Sequence, residues 1–331
     1  LVSVAREHGV DLYYEAAVAG GVPIIRTLRE SLASDRILSL RGILNGTSNY
    51  ILSRMSAEGT DFGVALEAAQ AAGYAEADPT LDVGGGDAAH KLALLAGLAF
   101  GTAVDPDSIL TEGITDVAAT DIRCAARFGY VFKPLAVGRL LEGGELDLRV
   151  HPALVPRRDL LAHVHDALNT VHIEGAAVGA TSLTGPGAGA LPTAVSVVSD
   201  LLDVARNLIS KAAGRVPPRA FQEHLLADLP VRSTDEHVCP FYMRLTVVDQ
   251  PGVLADLTHL LGEHGVSISQ MVQEAGGGKP AGDTEPDDLE VDVVLLTHAS
   301  REGNVTAALT EIDKLAIMKR PTRRFRIEKS A

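Results

Sequence analysis

Between Cys239 and Ala331 the chain alternates strand-like and helix-like runs in a fixed order. "FYMRLTVV" reads as a strand, "DQPG" as a turn, "VLADLTHLLGEHG" as a helix and "VSISQMVQ" as a second strand. The loop "EAGGGKPAGDTEPDD" then leads to the strand "LEVDVVLLT", the helix "NVTAALTEIDKLAI" and a last strand "RRFRIEK". Val253, Leu254, Leu257, Leu260 and Leu261 keep the spacing of one buried helical stripe, so that helix must lie against a sheet. The order βαββαβ admits few arrangements, and a ferredoxin-like module is the expected one.

The polar, Pro-containing stretch "GRVPPRAFQEHLLADLPVRSTDEH" precedes this module, and a linker is expected over residues 211–238. The chain has 331 residues, against roughly 100–200 for one domain, so further modules must lie upstream. No apolar run reaches the ~18 residues of a membrane span, and the expectation is a soluble protein with no membrane partner. The only cysteines, Cys124 and Cys239, stand in unrelated contexts, which argues against a disulfide framework and fits a cytoplasmic location. A net charge of -14 makes nucleic acid an unexpected partner.

From the start, "LVSVAREHG" reads as the end of a helix stopped by Gly9, and "VDLYYEAAV" as a strand over residues 10–18. Gly20 and Gly21 make a turn, and Pro23 opens the helix "PIIRTLRESLA". The strand "ILSLRGIL", the turn "NGTS" and the helix "NYILSRMSAEG" follow, then the helix "FGVALEAAQAAG" with Asp61 as its cap and Gly73 as its end. "AAHKLALLAGLAFG" and "IRCAARFG" are helical and "SILTEGITDV" extended. "YVFKPLAVGRLL" and "LDLRVHPALV" pair through the turn "GEL", and the Gly-rich turn "TGPGAGALPT" feeds the helix "AVSVVSDLLDVARNLIS". Mixed α/β with an antiparallel share is the coarse result.

Chemistry concentrates in "GYAEADPTLDVGGGDAAHK", residues 73–91, with four carboxylates, three consecutive glycines and one lysine. A calcium loop fails here, because Pro79 breaks the ligand alternation and the turn glycine would have to stand at Val83. Lys91 and Asp87 continue the helical face of Leu94, Leu95 and Leu98, which a surface lysine should avoid. Two readings stay open on the residues alone. In one, Asp87 caps the helix and pairs with Lys91 four positions on. In the other, the glycines admit a small ligand, the acids hold its cation and a partly desolvated lysine moves a proton. Tyr74 and the turn carrying Asn45, Gly46 and Thr47 join the same cleft in that second reading.

Together the stretches "YYEAAVAGGVPII", "GILNGTSNYIL", "AAGYAEADPTLDVGGGDAAHKLALLAGLAF", "GPGAGALPTAVSVVSDL" and "DQPGVLADL" resemble homoserine dehydrogenase, in the family's order and over nearly the whole chain. The resemblance implies an α/β chain in three parts: an incomplete Rossmann-type nucleotide-binding portion, an α+β substrate-binding and dimerisation domain, and a C-terminal ACT domain with the ferredoxin-like βαββαβ order. The implied boundaries are 1–25 for the nucleotide-binding remnant, 26–185 for the substrate domain, 186–210 for a helix returning to the nucleotide-binding domain, and 239–331 for the ACT domain.

It implies reduction of L-aspartate 4-semialdehyde to L-homoserine with NADPH or NADH, on the route to threonine, methionine and isoleucine. By position, Lys91 corresponds to the proton-transferring lysine. Glu76, Asp82, Asp87, Thr47, Gly46 and Tyr74 correspond to substrate-side residues, and Gly73, Glu76 and Gly189 to cofactor contacts. Backbone carbonyls of Glu15, Val18, Gly20 and Val22 correspond to a monovalent-cation site, expected to hold sodium. An amino-acid effector at the ACT domain and a homo-oligomer are further implications. The sequence holds no GxGxxG loop after a strand and lacks the family's second lysine, so an N-terminal truncation is expected. A catalytically silent, threonine-sensing binding protein is the alternative from another class. A thioester-forming semialdehyde dehydrogenase would need a nucleophilic cysteine, and Cys124 has no such motif around it.

Overall fold

The structure, a computed structural model, describes residues 1–275 and 290–328. The loop expected in "EAGGGKPAGDTEPDD" falls, from Gly276 on, outside the described residues. The elements run α1 (Val2–Glu7), α2 (Ile24–Arg26, continued by a wider π-turn over Thr27–Ser31), β1 (Ile37–Ile43), α3 (Gly46–Glu58), α4 (Phe62–Ala71), α5 (Thr80–Val83), α6 (Gly86–Phe100) and β2 (Leu110–Thr111). After these come α7 (Ala119–Arg127), β3 (Tyr130–Leu140), β4 (Leu146–Pro156), β5 (Leu168–Gly175), β6 (Gly179–Pro186) and α8 (Ala190–Ile209). The tail comprises β7 (Val238–Cys239), β8 (Phe241–Val248), α9 (Val253–Glu263), β9 (Ile268–Ala275), β10 (Glu290–Thr297), β11 (Ser300–Arg301), α10 (Glu302–Ile312) and β12 (Arg323–Ile327).

The chain divides into two compact units. The first holds residues 1–119, 133–152 and 158–232, and the second holds 120–132, 153–157 and 233–331. The linker segment 211–238 is thus split between them, and part of the central region clusters with the tail.

In the first unit the strands lie in the order β6-β5-β1-β3-β4, with β2 parallel on β4. Leu40, Ala136, Leu148, Val150, Val171 and Ile173 turn one face of this sheet toward α6, whose Leu92, Leu95, Ala96 and Ala99 complete the core. Period-two alternation leaves Asp147 and Arg149 on the opposite face of β4, where the guanidinium donates to the carboxylate at 2.7 Å. The β5–β6 hairpin, in register from Leu168↔Pro186 to Gly175↔Gly179, is absent from the sequence reading. Its polar alternation in "NTVHIE" and "ATSLT" is the signal that marks it.

Two expected strands do not form. Residues 10–18 hold only a 3-10 turn, Glu15–Ala17. Their polar groups take side-chain and turn partners instead of a ladder: Glu15 N–H donates to Asp200, Asp11 accepts from Asn207 and Gly214, and the Tyr14 hydroxyl donates to Pro218. Of "SILTEGITDV" only Leu110–Thr111 is a strand, because Asp105 caps a 3-10 turn over Pro106–Ser108 and Gly113 turns the chain against Val83 and Gly84.

The second unit has the strand order β12-β8-β10-β9 with α9 and α10 on one face, and the end of β4 pairs in parallel with β12 at Ala153 and Leu154. Phe241, Met243, Leu245, Val293 and Leu295 meet Leu257, Leu261, Val305, Ala308 and Ile312 in its core. The βαββαβ expectation therefore holds.

Candidate active site

The turn "NGTS" is the first turn of α3. Asn45 adopts extended angles, φ -121° and ψ 111°, and its Oδ1 accepts the Ser48 N–H at 2.8 Å, an N-cap that starts the helix at Gly46. Gly46 is required by closeness, since a Cβ there would fall 2.8 Å from the Ala167 carbonyl oxygen. The cap leaves the amide nitrogen of Asn45 free to face residues 82–87. It donates to Asp82 Oδ1 at 2.6 Å and to Asp87 Oδ2 at 2.9 Å, while Ser48 Oγ donates to the Asp82 carbonyl at 2.9 Å.

Lys91 reaches the same point. Its Nζ lies 2.7 Å from Asp87 Oδ2 and donates to the Leu44 carbonyl at 3.0 Å. The Lys91 and Asp87 side chains are 21% and 26% exposed, neither buried nor freely solvated. Asp87 is not the helix cap: Gly85, at φ 87°, holds that position. The i, i+4 pair exists, but both members also bind backbone and side chains from outside α6, which a solvated surface pair does not require. Leu94, expected on the buried stripe, is 42% exposed. In a helix apolar nearly all round, the small alanines at 88, 89, 93, 96 and 99 decide which face packs, and a leucine-based count cannot see that.

One ammonium and two carboxylates meet here, leaving a net negative charge that suits a cationic group on a ligand. Tyr74 lies at the rim, 47% exposed, its ring 4.7 Å from that of Tyr50 and its carbonyl accepting from the Thr47 hydroxyl. Gly73 ends α4 at φ 76° in open space, so the need for glycine is conformational. Glu76 is exposed, its carbonyl accepts from Gln70, and among the described residues its carboxylate has no partner. The geometry thus joins Asp82, Asp87 and Lys91 through Asn45, Thr47 to Tyr74, and leaves the Glu76 side chain outside that network.

A second glycine turn, residues 185–189, interlocks with the loop at Ala19–Val22. A Cβ on Gly20 would fall 2.4 Å from the Gly187 carbonyl oxygen, and Gly21 N–H donates to the Pro186 carbonyl. Gly189, at φ 109°, precedes α8 with no side-chain cap, so the first-turn amides of a 20-residue helix have no side-chain acceptor there. That is a surface suited to a phosphate. In the loop, the Gly20 carbonyl accepts from Ser196 Oγ at 2.7 Å and that of Val22 from the Ile24 N–H. The buried Glu15 carboxylate accepts the N–H groups of Ile25 and Arg26, and burial pushes its pKa up.

Sequence reasoning treats Asn45 as a turn residue and leaves out Ser48 and Asn169. Asn169, on β5, donates from Nδ2 to the Leu44 carbonyl at 2.9 Å, the oxygen that Lys91 also binds. An asparagine inside a strand with no flanking motif gives no signal beyond a polar residue at a buried position.

Among known proteins, the homoserine dehydrogenase family matches residues 23–202 and the ACT domain residues 241–314. A homoserine dehydrogenase of Pseudomonas aeruginosa is 44% identical over 98% of this chain and 73% of its own length. The crystal structure of a homoserine dehydrogenase from Thiobacillus denitrificans superposes with a TM-score of 0.89 at 44% identity, covering 99% of this chain and 72% of that one. A hyperthermophilic archaeal homoserine dehydrogenase in complex with NADPH is more distant, with a TM-score of 0.53 and 27% identity over 62% of this chain and 59% of that one.

Proposed function

Because this chain belongs to the homoserine dehydrogenase family, whose members use NAD(P), we propose that the network around Lys91 is where L-aspartate 4-semialdehyde and L-homoserine are interconverted. The observation that carries this reading is the placement of Lys91 Nζ between Asp87 and the Leu44 carbonyl, at the head of a helix otherwise almost wholly apolar.

A bound nicotinamide cofactor supplies the hydride for reduction or accepts it in reverse. In reduction, charge grows on the aldehyde oxygen, and the Lys91 ammonium stabilises it and delivers the proton that completes the hydroxyl. Asp87 and the Leu44 carbonyl orient that ammonium. Asp82, Asp87 and Glu76 supply countercharge for the substrate's α-ammonium group, and Gly46, Thr47 and Tyr74 form the wall against which its carbon chain lies.

Gly73, Glu76 and Gly189 form the cofactor side, the last at a helix start with amides free for phosphate. Residues 1–25 and 186–210 are assigned to the nucleotide-binding portion, 26–185 to the substrate domain and 239–331 to the ACT domain. A monovalent cation, sodium, is assigned to the carbonyls of Glu15, Val18, Gly20 and Val22. What supports it is the buried turn and the Val18 carbonyl, which accepts no hydrogen bond among the described residues. An amino-acid effector, with threonine the first candidate, is assigned to the Asp249–Gly252 turn of the ACT domain, and a cytoplasmic homo-oligomer is the expected state. Among the described residues no helix is long and apolar enough to cross a membrane.

The test is homoserine-dependent reduction of NADP or NAD, with Lys91→Ala beside the parent chain. A loss of kcat by about 100-fold or more with a smaller change in KM is expected for a proton-transfer group. Parent-like turnover in the variant removes Lys91 from the mechanism.

A further inference from the structure

Asn169 is 1% exposed, and its two amide atoms have unequal fates. Nδ2 donates to the Leu44 carbonyl, whose oxygen also accepts from Lys91 Nζ, so both lone pairs of that oxygen are used by these two groups. Oδ1 is buried and has no hydrogen-bond partner. Turning the amide over would aim an oxygen at the Leu44 carbonyl and leave Lys91 as its only donor, so the Leu44 oxygen fixes the orientation.

Two glycines frame the orphan oxygen. A Cβ on Gly187 would lie 2.2 Å from Oδ1, and one on Gly46 would lie 3.4 Å from it. The oxygen therefore stands between the turn that opens α3 and the turn that leads to α8, and neither offers it an N–H. A buried acceptor left unpaired is rare and costly unless something outside the chain completes it.

We infer that Asn169 is an unassigned residue of this site: Oδ1 accepts an N–H from a bound molecule, while Nδ2, through the Leu44 carbonyl, positions Lys91. The donor is either the primary carboxamide of the nicotinamide ring or the α-ammonium of homoserine, since both present N–H groups at a site of this kind. This assignment rests on the active-site reading above.

The experiment uses Asn169→Ala and the isosteric Asn169→Asp, with NADPH binding followed by its fluorescence and homoserine kinetics measured in parallel. Removing the acceptor in Asn169→Ala weakens one ligand by about 5- to 20-fold, as expected for one lost hydrogen bond to a buried group. If the carboxamide is the donor, NADPH binding falls and the homoserine KM stays. If the ammonium is the donor, the homoserine KM rises and NADPH binding stays.

Asn169→Asp keeps the acceptor and loses the donor to Leu44, so the affected ligand binds within about twofold of the parent, or tighter if it is the ammonium, while kcat falls about tenfold. A residue that only fills space would lower the melting temperature of both variants without this split between affinity and kcat. The inference is overturned if a folded Asn169→Ala leaves NADPH affinity and homoserine KM both within twofold. Should Asn169→Ala not fold, an Asn169→Asp with parent kcat overturns it as well. Lys91→Ala with undiminished turnover would sink the active-site reading instead, whatever the NADPH titrations of the Asn169 variants give.

Discussion

Asp82 and Asp87 carry like charges, yet one amide nitrogen, that of Asn45, holds an oxygen of each at 2.6 Å and 2.9 Å. Asn45→Ala leaves those carboxylates facing each other and removes the cap of α3, so it should cost about 1–2 kcal/mol by urea unfolding. In the same variant the homoserine KM should rise several-fold, as Asp82 and Asp87 lose their common register, with NADPH affinity unchanged. Lys133 supplies a pH-dependent case. It is 3% exposed, its Nζ donates to the Val164 carbonyl at 2.6 Å, and burial pushes its pKa from 10.5 to about 8. Between those values the unfolded chain holds more protons than the folded one, so stability rises with pH across that window and the charged lysine is a fixed cost below it. Lys133→Met should remove that slope and raise stability at neutral pH, by an amount on the order of 2 kcal/mol after the lost hydrogen bond. Denaturant unfolding on both sides of pH 8 would decide it, and a slope that persists in Lys133→Met assigns it to another group. Lys91 was legible in the sequence because a charge on an apolar stripe is conspicuous. Asn45 was legible only as part of the turn beside the cleft, and Asn169 not at all, because their hydrogen bonds run to residues 42 and 125 positions away.

At the scale of elements, helices with long periodic runs were legible: α3, α4, α6, α8, α9 and α10 all lie where those runs lie, although only α3 has a side-chain cap and only α3 and α6 have glycine as the C-cap residue. Failures came where an element needs a distant partner. Residues 10–18 have strand-like composition but no ladder, and tertiary hydrogen bonds to Asp200 and Asn207 outweigh propensity. Residues 108–117 bend because Gly113 sits against α5, where a Cβ would fall 2.5 Å from the Val83 carbonyl oxygen and 2.9 Å from Gly84 Cα. Both obstacles are backbone, which cannot swing aside. The Ile114 N–H also donates to that Val83 oxygen at 2.9 Å, tying the segment to the turn that carries Asp82 and Asp87. Gly113→Ala should therefore push Val83 and Gly84 outward, at a cost of about 1–3 kcal/mol. Faster hydrogen exchange at Ile114 and a raised homoserine KM are the expected readings. A parent-like exchange rate would show that the turn absorbs the methyl group without moving.

The two units carry separate cores, and the second is not the contiguous tail that a linker reading suggests. Residues 120–132 belong to it, held by Asp121 of α7, which is 0% exposed. Asp121 accepts from the Tyr242 hydroxyl at 2.9 Å and from Arg244 Nε at 2.6 Å, both on β8. Phe132 adds an edge-on contact to Phe325, with ring centroids 5.0 Å apart. Nothing in "TDIRCAARFG" signals this role, since a single aspartate in a short helix reads as a solvated residue, and only closure over more than a hundred positions buries it. Removing it leaves the Tyr242 phenol without its acceptor and the Arg244 guanidinium, among the described residues, with only Asp292, 3.9 Å away, so Asp121→Ala should destabilise the second unit by about 2–4 kcal/mol. Hydrogen exchange read strand by strand locates the loss. Amides of β8 and β10 should lose protection, whereas those of β1 and β5, in the first unit with their own core around α6, should keep it. Equal loss in all four strands would mean that the units unfold as one cooperative body, and Asp121 would then be a support of the whole chain, the Lys91 network included.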